Sequence, residues 1–181
     1  MPRWMYGLLG LALAWLVWTK FLQPTPDLSQ LTRQQGVQVV ALESYEGSFR
    51  VLGREDYHLG REAEFSPTDI AVGWGEMANP QVYEQVDISQ RNRWYYWRVD
   101  STPPISMQAI ARQSANMHLV PANAEIAKQI KKIKPDDLVY LKGTLIEIQT
   151  QDGWRWRSSL SREDTGNGAC ELMRVESIVW Q

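Results

Sequence analysis

Residues 4 to 18, "WMYGLLGLALAWLVW", carry no charge and almost no polar atom. Extended to Leu22, the segment predicts a helix about 28 Å long at ~1.5 Å per residue, close to the hydrocarbon thickness of a bilayer. Trp4 and Tyr6 lie at one end and Trp15 and Trp18 at the other. Amphipathic rings favour the headgroup level, so this spacing matches two interfacial belts, with Lys20 free to snorkel outward. Cleavage after Ala12-Leu13-Ala14 would leave an apolar region of about seven residues, at the short limit for a signal peptide. A buried core helix is disfavoured because no polar stripe breaks the apolar surface.

The resulting expectation is a transmembrane signal-anchor over residues 1–22, a proline-containing tether over 23–29 and one β-rich globular domain over 30–181. Pro24 and Pro26 stop the helix and extend the chain between bilayer and domain. The expected location is the inner (plasma) membrane, in a single pass. The expected partners are the bilayer, through residues 4–22, and an envelope protein. Arg3 on one side and Lys20 and Arg33 on the other give the positive-inside rule little to separate. The short N-terminal tail favours a domain outside the cytoplasm.

Charge distribution narrows the function classes. Arg3 and Lys20 are the only charges before residue 24, so the remainder holds 17 basic and 21 acidic side chains, a net of −4. A domain of that sign repels a phosphate backbone over its surface as a whole. One cysteine, Cys170, excludes an intramolecular disulfide and a thiolate metal cluster within a single chain. His58 and His118 stand far apart with no HExxH or HxH spacing, so no metal is expected, and no motif calls for a cofactor.

The fold expected is α+β: an N-terminal transmembrane helix, then a curled antiparallel sheet resembling an OB-type barrel, with two helices around 106–133. Strands are read at 36–44, 47–56, 68–77 and 93–99 from short apolar or alternating runs between glycines. Residues 106–117 read as a helix capped by Ser106, with Met107, Ile110, Ala111 and Ser114 on one face. Residues 123–133 read as a second helix capped by Asn123, with an apolar stripe of Ile126, Ala127, Ile130 and Ile133 and lysines at its negative end. Gly143 is the expected bulge in a long strand from 137 to 150. "QDG" turns the chain, and "WRWRSSL" returns with Trp154, Trp156 and Leu160 inward and Arg155, Arg157 and Ser159 outward. A strand from Cys170 closes the chain.

The aromatic and arginine-rich run at 89–100 poses the main functional question. Trp94, Tyr96 and Arg98 point one way in a strand, and Arg93, Tyr95, Trp97 and Val99 the other. Arginines with aromatic rings can form a stacking platform for single-stranded nucleic acid, for which Arg93, Trp97, Arg155 and Arg157 are the candidate ligand-binding residues. The acidic domain makes nucleic acid the unlikely partner and a packed strand the expected one.

Two catalytic readings and one ion-binding reading remain. Asp164-Thr165-Gly166 resembles the catalytic tripeptide of aspartic proteases, yet its approach "SRE" is polar and no second copy occurs. The same loop could cradle an anion or Ca²⁺ through Glu163, Asp164 and Asn167 but lacks EF-hand spacing. His118, read as lying just past a helix end, is the candidate centre of a hydrolase site with Ser114, Cys170 or Asp164. The leading expectation is a membrane-anchored binding or assembly domain. A tethered hydrolase near His118 and an OB-type nucleic-acid module are the alternatives.

Overall fold

The computed structural model describes residues 3–18, 28, 36–100, 102–161 and 169–181. The first helix, α1, runs Arg3–Val17, a length of about 22 Å. Its side chains from Tyr6 to Trp18 are exposed throughout. No helix among the described residues is long and apolar enough to cross a membrane, so a span over 4–22 is not supported by α1 as it stands. Residues 19–22, Lys20 among them, and the tether prolines Pro24 and Pro26 lie outside the described residues. Leu28, within the expected tether, is buried against the barrel.

The remainder is β-rich with short helices. In chain order it comprises β1 (Gln38–Asp56), α2 (Arg61–Phe65), β2 (Thr68–Gly73), α3 (Pro80–Tyr83), β3 (Asp87–Arg91), β4 (Trp94–Arg98), α4 (Met107–Arg112), β5 (Ser114–Pro121), α5 (Ala124–Ile130), β6 (Leu138–Gln149), β7 (Arg155–Arg157) and β8 (Glu171–Trp180). A six-stranded sheet orders as β1-β2-β5-β8-β6-β7. β1 also pairs with β6, so five of these strands close on themselves. Closure removes the two free edges an open sheet would leave to be protected. β5 and β8 run parallel, which corrects the purely antiparallel expectation, and the remaining pairs are antiparallel.

One element replaces two expected strands at the start of the sheet. β1 is continuous across Glu46 and Gly47, and it turns the corner with register shifts at Ala41/Glu43 and Val51/Gly53. Its first two-thirds pair with β6 and its end pairs with β2. A strand that must serve both partners bends at bulges. The expected bulge at Gly143 is present, as a shift between Lys142 and Gly143 against β8. There a Cβ would collide with the Arg174 carbonyl oxygen, so the close approach requires glycine.

Two apolar layers hold the barrel. Inside, Ile70, Val72, Met117, Leu119, Leu141, Met173 and Val175 meet Ile126, Ile130 and Ile133 from α5 and the turn after it. The stripe expected on α5 is thus buried, and Asn123 caps the helix by accepting from Glu125 N and Ile126 N at 3.0 Å. On the opposite face of β5, Val120 joins Phe65, Ile146, Ile148 and Leu172, with Trp154 and Trp156 packed against them.

The helix expected over 106–117 is half strand. α4 keeps its Ser106 cap but ends at Arg112, and of its expected apolar face Ile110 alone among the helical positions is buried, with Met107 and Ala111 exposed. From Ser114 the chain is the central strand β5. A strand buried on both faces loses its period-two signature, and helical spacing upstream then reads through it. The return after β7 also departs from strict alternation. Ser158 and Ser159 are both buried and Leu160 is exposed, because successive amides of Ser158 and Ser159 bond to Ile146 O and Cys170 O.

Candidate binding cleft

The hairpin β3–β4 answers the question posed by the aromatic run. Asn92 and Arg93 form its two-residue turn with φ of +52° and +70°. This is the left-handed geometry that matches strand twist and that glycine and asparagine usually provide. An arginine there is strained, and strain of this kind tends to be kept where the side chain is needed. Tyr95 and Trp97 turn inward, Trp97 against Met77, Val86 and Ile110, while Trp94 and Tyr96 face out. Tyr96 carries the Arg91 guanidinium 4.7 Å from its ring centre.

From the turn, Arg93 reaches the outer face of the barrel, the face of β5 opposite Met117 and Leu119. Its Nη1 donates to Asp69 Oδ1 at 2.7 Å. Its guanidinium lies 3.8 Å from the Tyr57 ring centre and 5.7 Å from that of Trp156. Its backbone N–H donates to Tyr57 Oη at 2.9 Å. Burial pushes the Tyr57 hydroxyl above its ordinary value of 10.0, with the bond from the Arg93 amide working in the opposite direction.

Asp69 and His118 are register partners on β2 and β5. Asp69 is fully buried, and its Oδ1 lies 2.9 Å from His118 Nδ1, off the axis of the N–H. Asp69 Oδ2 is buried without a hydrogen bond. The imidazole packs on Trp156 with centroids 4.9 Å apart and rings inclined at 51°. Next along the same face, Asn116 donates to the Arg93 carbonyl at 3.3 Å and accepts from Gln90 Nε2 at 2.7 Å. The buried Asp69–Arg93 pair leaves Asp69 Oδ2, Arg93 Nη2 and His118 Nδ1 without hydrogen bonds, a costly arrangement that marks a functional candidate where it borders a cleft.

That cleft encloses about 530 Å³. Tyr57, Leu59 and Glu62 wall it from the β1–β2 connection, Asn92, Arg93 and Trp94 from the hairpin, and Trp156, Arg157 and Cys170 from the β6–β8 connection. His118 contributes from β5. The volume is in the range of small-molecule sites, with a few convergent polar groups among rings. Arg157 donates to Glu147 Oε2 at 2.6 Å, and Arg155 Nε lies 3.0 Å from Glu147 Oε1. The Arg157 guanidinium and the Gln149 amide beside Glu147 hold its carboxyl below the ordinary 4.5.

The expected site residues divide accordingly. Arg93, Arg157, His118 and Cys170 line one cleft. Trp97 and Arg155 do not, so the expected four-residue stacking patch is not contiguous: Trp97 packs into the core beneath the hairpin. Ser114 lies four residues from His118 along β5 and donates to Ile110 O at 2.7 Å. Among the described residues His118 forms no hydrogen bond with Ser114 or Cys170, and Asp164, with Glu163 and Asn167, lies outside them. His118 itself is mid-strand rather than past a helix end, which removes the helix-dipole argument for it. Among the described residues no three His, Cys, Asp or Glu side chains converge to hold a metal ion.

Asp69 and Tyr57 carry the site without having been singled out by sequence. The available signal was a lone carboxylate inside the apolar run "TDIAVG", matched by a lone imidazole inside "NMHLV". Comparison with protein-family models, with curated proteins and with solved structures finds no match to this chain.

Proposed function

We propose that this chain is a membrane-anchored binding module whose barrel presents the cleft at His118 to a small ligand outside the cytoplasm. One observation carries the binding reading: the cleft occupies the outer face of the second and third barrel strands, β2 and β5. Its walls come from the connections that join barrel strands one to two and four to five. Barrels of the OB type, with a parallel third and fifth strand and a helix after the third, use that face and those loops for ligands. Strand order 1-2-3-5-4 with α5 between β5 and β6 supports the assignment. Fold analogy supplies the location and not the ligand.

The anchor reading rests on α1. Leu8, Leu9, Leu11, Leu13 and Trp15 are each at least 57 % exposed, and an apolar surface of that kind requires lipid or a partner. The helix with residues to Leu22 is the segment we assign to the bilayer, and an envelope protein is the alternative cover.

Nucleic acid fits the cleft poorly. Arg93 is matched by Asp69 and Arg157 by Glu147, so few free cations face the cleft to follow a phosphate backbone.

Flotation with phosphatidylcholine vesicles tests the anchor. The full chain is expected to float, and a Leu11→Glu/Leu13→Lys variant to stay in the dense fraction. A wild-type chain that stays soluble without detergent or vesicles overturns the membrane assignment. Titration with a labelled oligonucleotide at low salt tests the exclusion, with saturable binding lost in Arg157→Ala as the overturning result.

A further inference from the structure

His118 borders the cleft from a strand, with its ring set against buried neighbours. His118 is 4 % exposed, its Nδ1 is held 2.9 Å from the carboxylate of Asp69, and Arg93 anchors the same oxygen at 2.7 Å. When the imidazole is neutral, the field of a carboxylate 2.9 Å away favours the proton on Nδ1, although the contact lies off the N–H axis and is no hydrogen bond. Nε2 then presents a lone pair, an acceptor and not a donor. No described group bonds to Nε2, and the ring borders the cleft.

The rest of the wall selects what can approach that acceptor. Arg93 and Arg157 are each paired with a carboxylate, though Arg93 Nη2 is buried without a hydrogen bond and Glu147 serves Arg155 as well, and Glu62 adds a further acid. An anionic group therefore meets cations whose charge a neighbouring carboxylate already offsets, which leaves little to repay its desolvation. Trp156 and Trp94 offer flat apolar surface on two sides, and Leu59, 82 % exposed, extends it at the rim. Aromatic side chains favour a planar partner in offset or edge contact.

We infer that the cleft is a site for a neutral planar ring bearing a hydroxyl or N–H group, phenol-like or indole-like, which donates to His118 Nε2. The inference rests on the cleft reading above and names its ligand class. An acceptor buried among rings rewards a donor twice, through the bond made and through the desolvation cost avoided. Toluene, of nearly the same shape, gains neither. Benzoate adds charge that the matched guanidiniums do not need.

The experiment uses the full chain in detergent micelles at pH 8, with phenol, toluene and benzoate as probes, read by tryptophan fluorescence and by the His118 side-chain NMR signals. Phenol is expected to bind about tenfold tighter than toluene, the ratio that about 1.4 kcal/mol of hydrogen bonding gives. Benzoate is expected to be weakest. His118→Phe should bring phenol and toluene to equal affinity, and His118→Gln, which keeps an acceptor, should restore part of the preference. Equal binding of phenol and toluene by the wild-type chain overturns the ligand class while leaving the cleft as a binding site. Tightest binding by benzoate overturns it in favour of an anion site. No binding by any probe overturns both this inference and the binding reading beneath it.

Discussion

Asp69 Oδ1 is shared between Arg93 and His118, 2.7 Å from the guanidinium and 2.9 Å from the imidazole. The first contact ties a hairpin turn to the barrel wall, and the second fixes a ring that borders the cleft. One carboxylate thus couples the packing of β3–β4 to the geometry of the candidate site. Burial of Asp69 makes the coupling strong in one direction. Removing either partner leaves a charge that the interior cannot solvate.

Asp69→Ala is expected to lower stability by about 3 kcal/mol or more in urea denaturation, the range for breaking a buried ion pair. Asp69→Ala combined with Arg93→Ala should cost less than the sum of the single changes, because the double variant strands no charge. Additive losses would show that the two side chains contribute independently. Arg93→Lys keeps the charge but loses the planar stack on Tyr57 at 3.8 Å, and should fall between wild type and Arg93→Ala.

Tyr95 gives the fold an alkaline limit. Burial pushes its hydroxyl up to about 12 from the ordinary 10.0, with Ser114 opposing. A proton held more tightly in the folded state contributes stability that is whole below pH 10 and declines as pH rises toward 12. The shift corresponds to about 2 to 3 kcal/mol. Tyr95→Phe should remove that share of the decline in denaturation curves taken from pH 9 to 12. At neutral pH the change should be neutral or stabilising by about 1 kcal/mol, since Ser114, the polar neighbour of the hydroxyl, already donates to Ile110 O at 2.7 Å and forms no well-aligned bond with it. A loss of stability at neutral pH would count against that account.

Much of the β architecture could be read from local chemistry, and the failures have local causes. Gly143, Asn123, Ser106 and the turn at Gly153, φ +87°, each announce a backbone requirement that a residue type meets alone. The two-residue turn at Asn92-Arg93 was hidden because arginine is not a turn residue, and tertiary contacts with Asp69 and Tyr57 impose its conformation. β5 was hidden because Ala115 to Val120 sit between two neighbouring strands under the hairpin and over the core, which erases alternation. His118 was found by its chemistry but misplaced on that account. Asp69 lies 49 residues before it in the sequence and meets it only through strand register.

Glu147 sets an acid limit of the opposite sign. Bonds from Arg157 and Gln149 hold its carboxyl below 4.5. A lowered acid contributes stability above its unfolded value, and that contribution is lost as pH falls below about 4.5. Glu147→Gln should therefore flatten the stability profile between pH 5 and 3 relative to wild type, in scans of melting temperature against pH. An unchanged acid slope would mean that other carboxylates carry it.

Gly143→Ala tests the barrel corner. The new methyl group would meet the Arg174 carbonyl oxygen across β6–β8, and backbone cannot rotate away as a side chain can. A loss of about 2 kcal/mol is expected, within the range for overpacking a dense interior. Gly153→Ala provides the contrast. Its Cβ would meet nothing within 4 Å, but φ is +87°, so the cost there is conformational alone and should be smaller, about 1 kcal/mol. Equal losses at the two positions would show that the close approach at Gly143 relaxes freely.

Phe65 links stability to the cleft. It is 2 % exposed, stacks on Trp154 with centroids 5.8 Å apart, and anchors α2, whose Glu62 stands in the cleft wall. α2 spans five residues, too short to be stable by itself, so its position depends on that ring. Phe65→Ala is expected to cost about 3 to 5 kcal/mol, the usual penalty for emptying a buried aromatic site. Phe65→Leu keeps most of the volume and should cost less, but it loses the stack and leaves α2 less firmly seated. Phenol affinity measured at a temperature where Phe65→Leu is fully folded should then fall severalfold, while β-sheet circular dichroism stays at the wild-type level. Unchanged affinity in that variant would mean the wall at Glu62 does not depend on α2 being pinned.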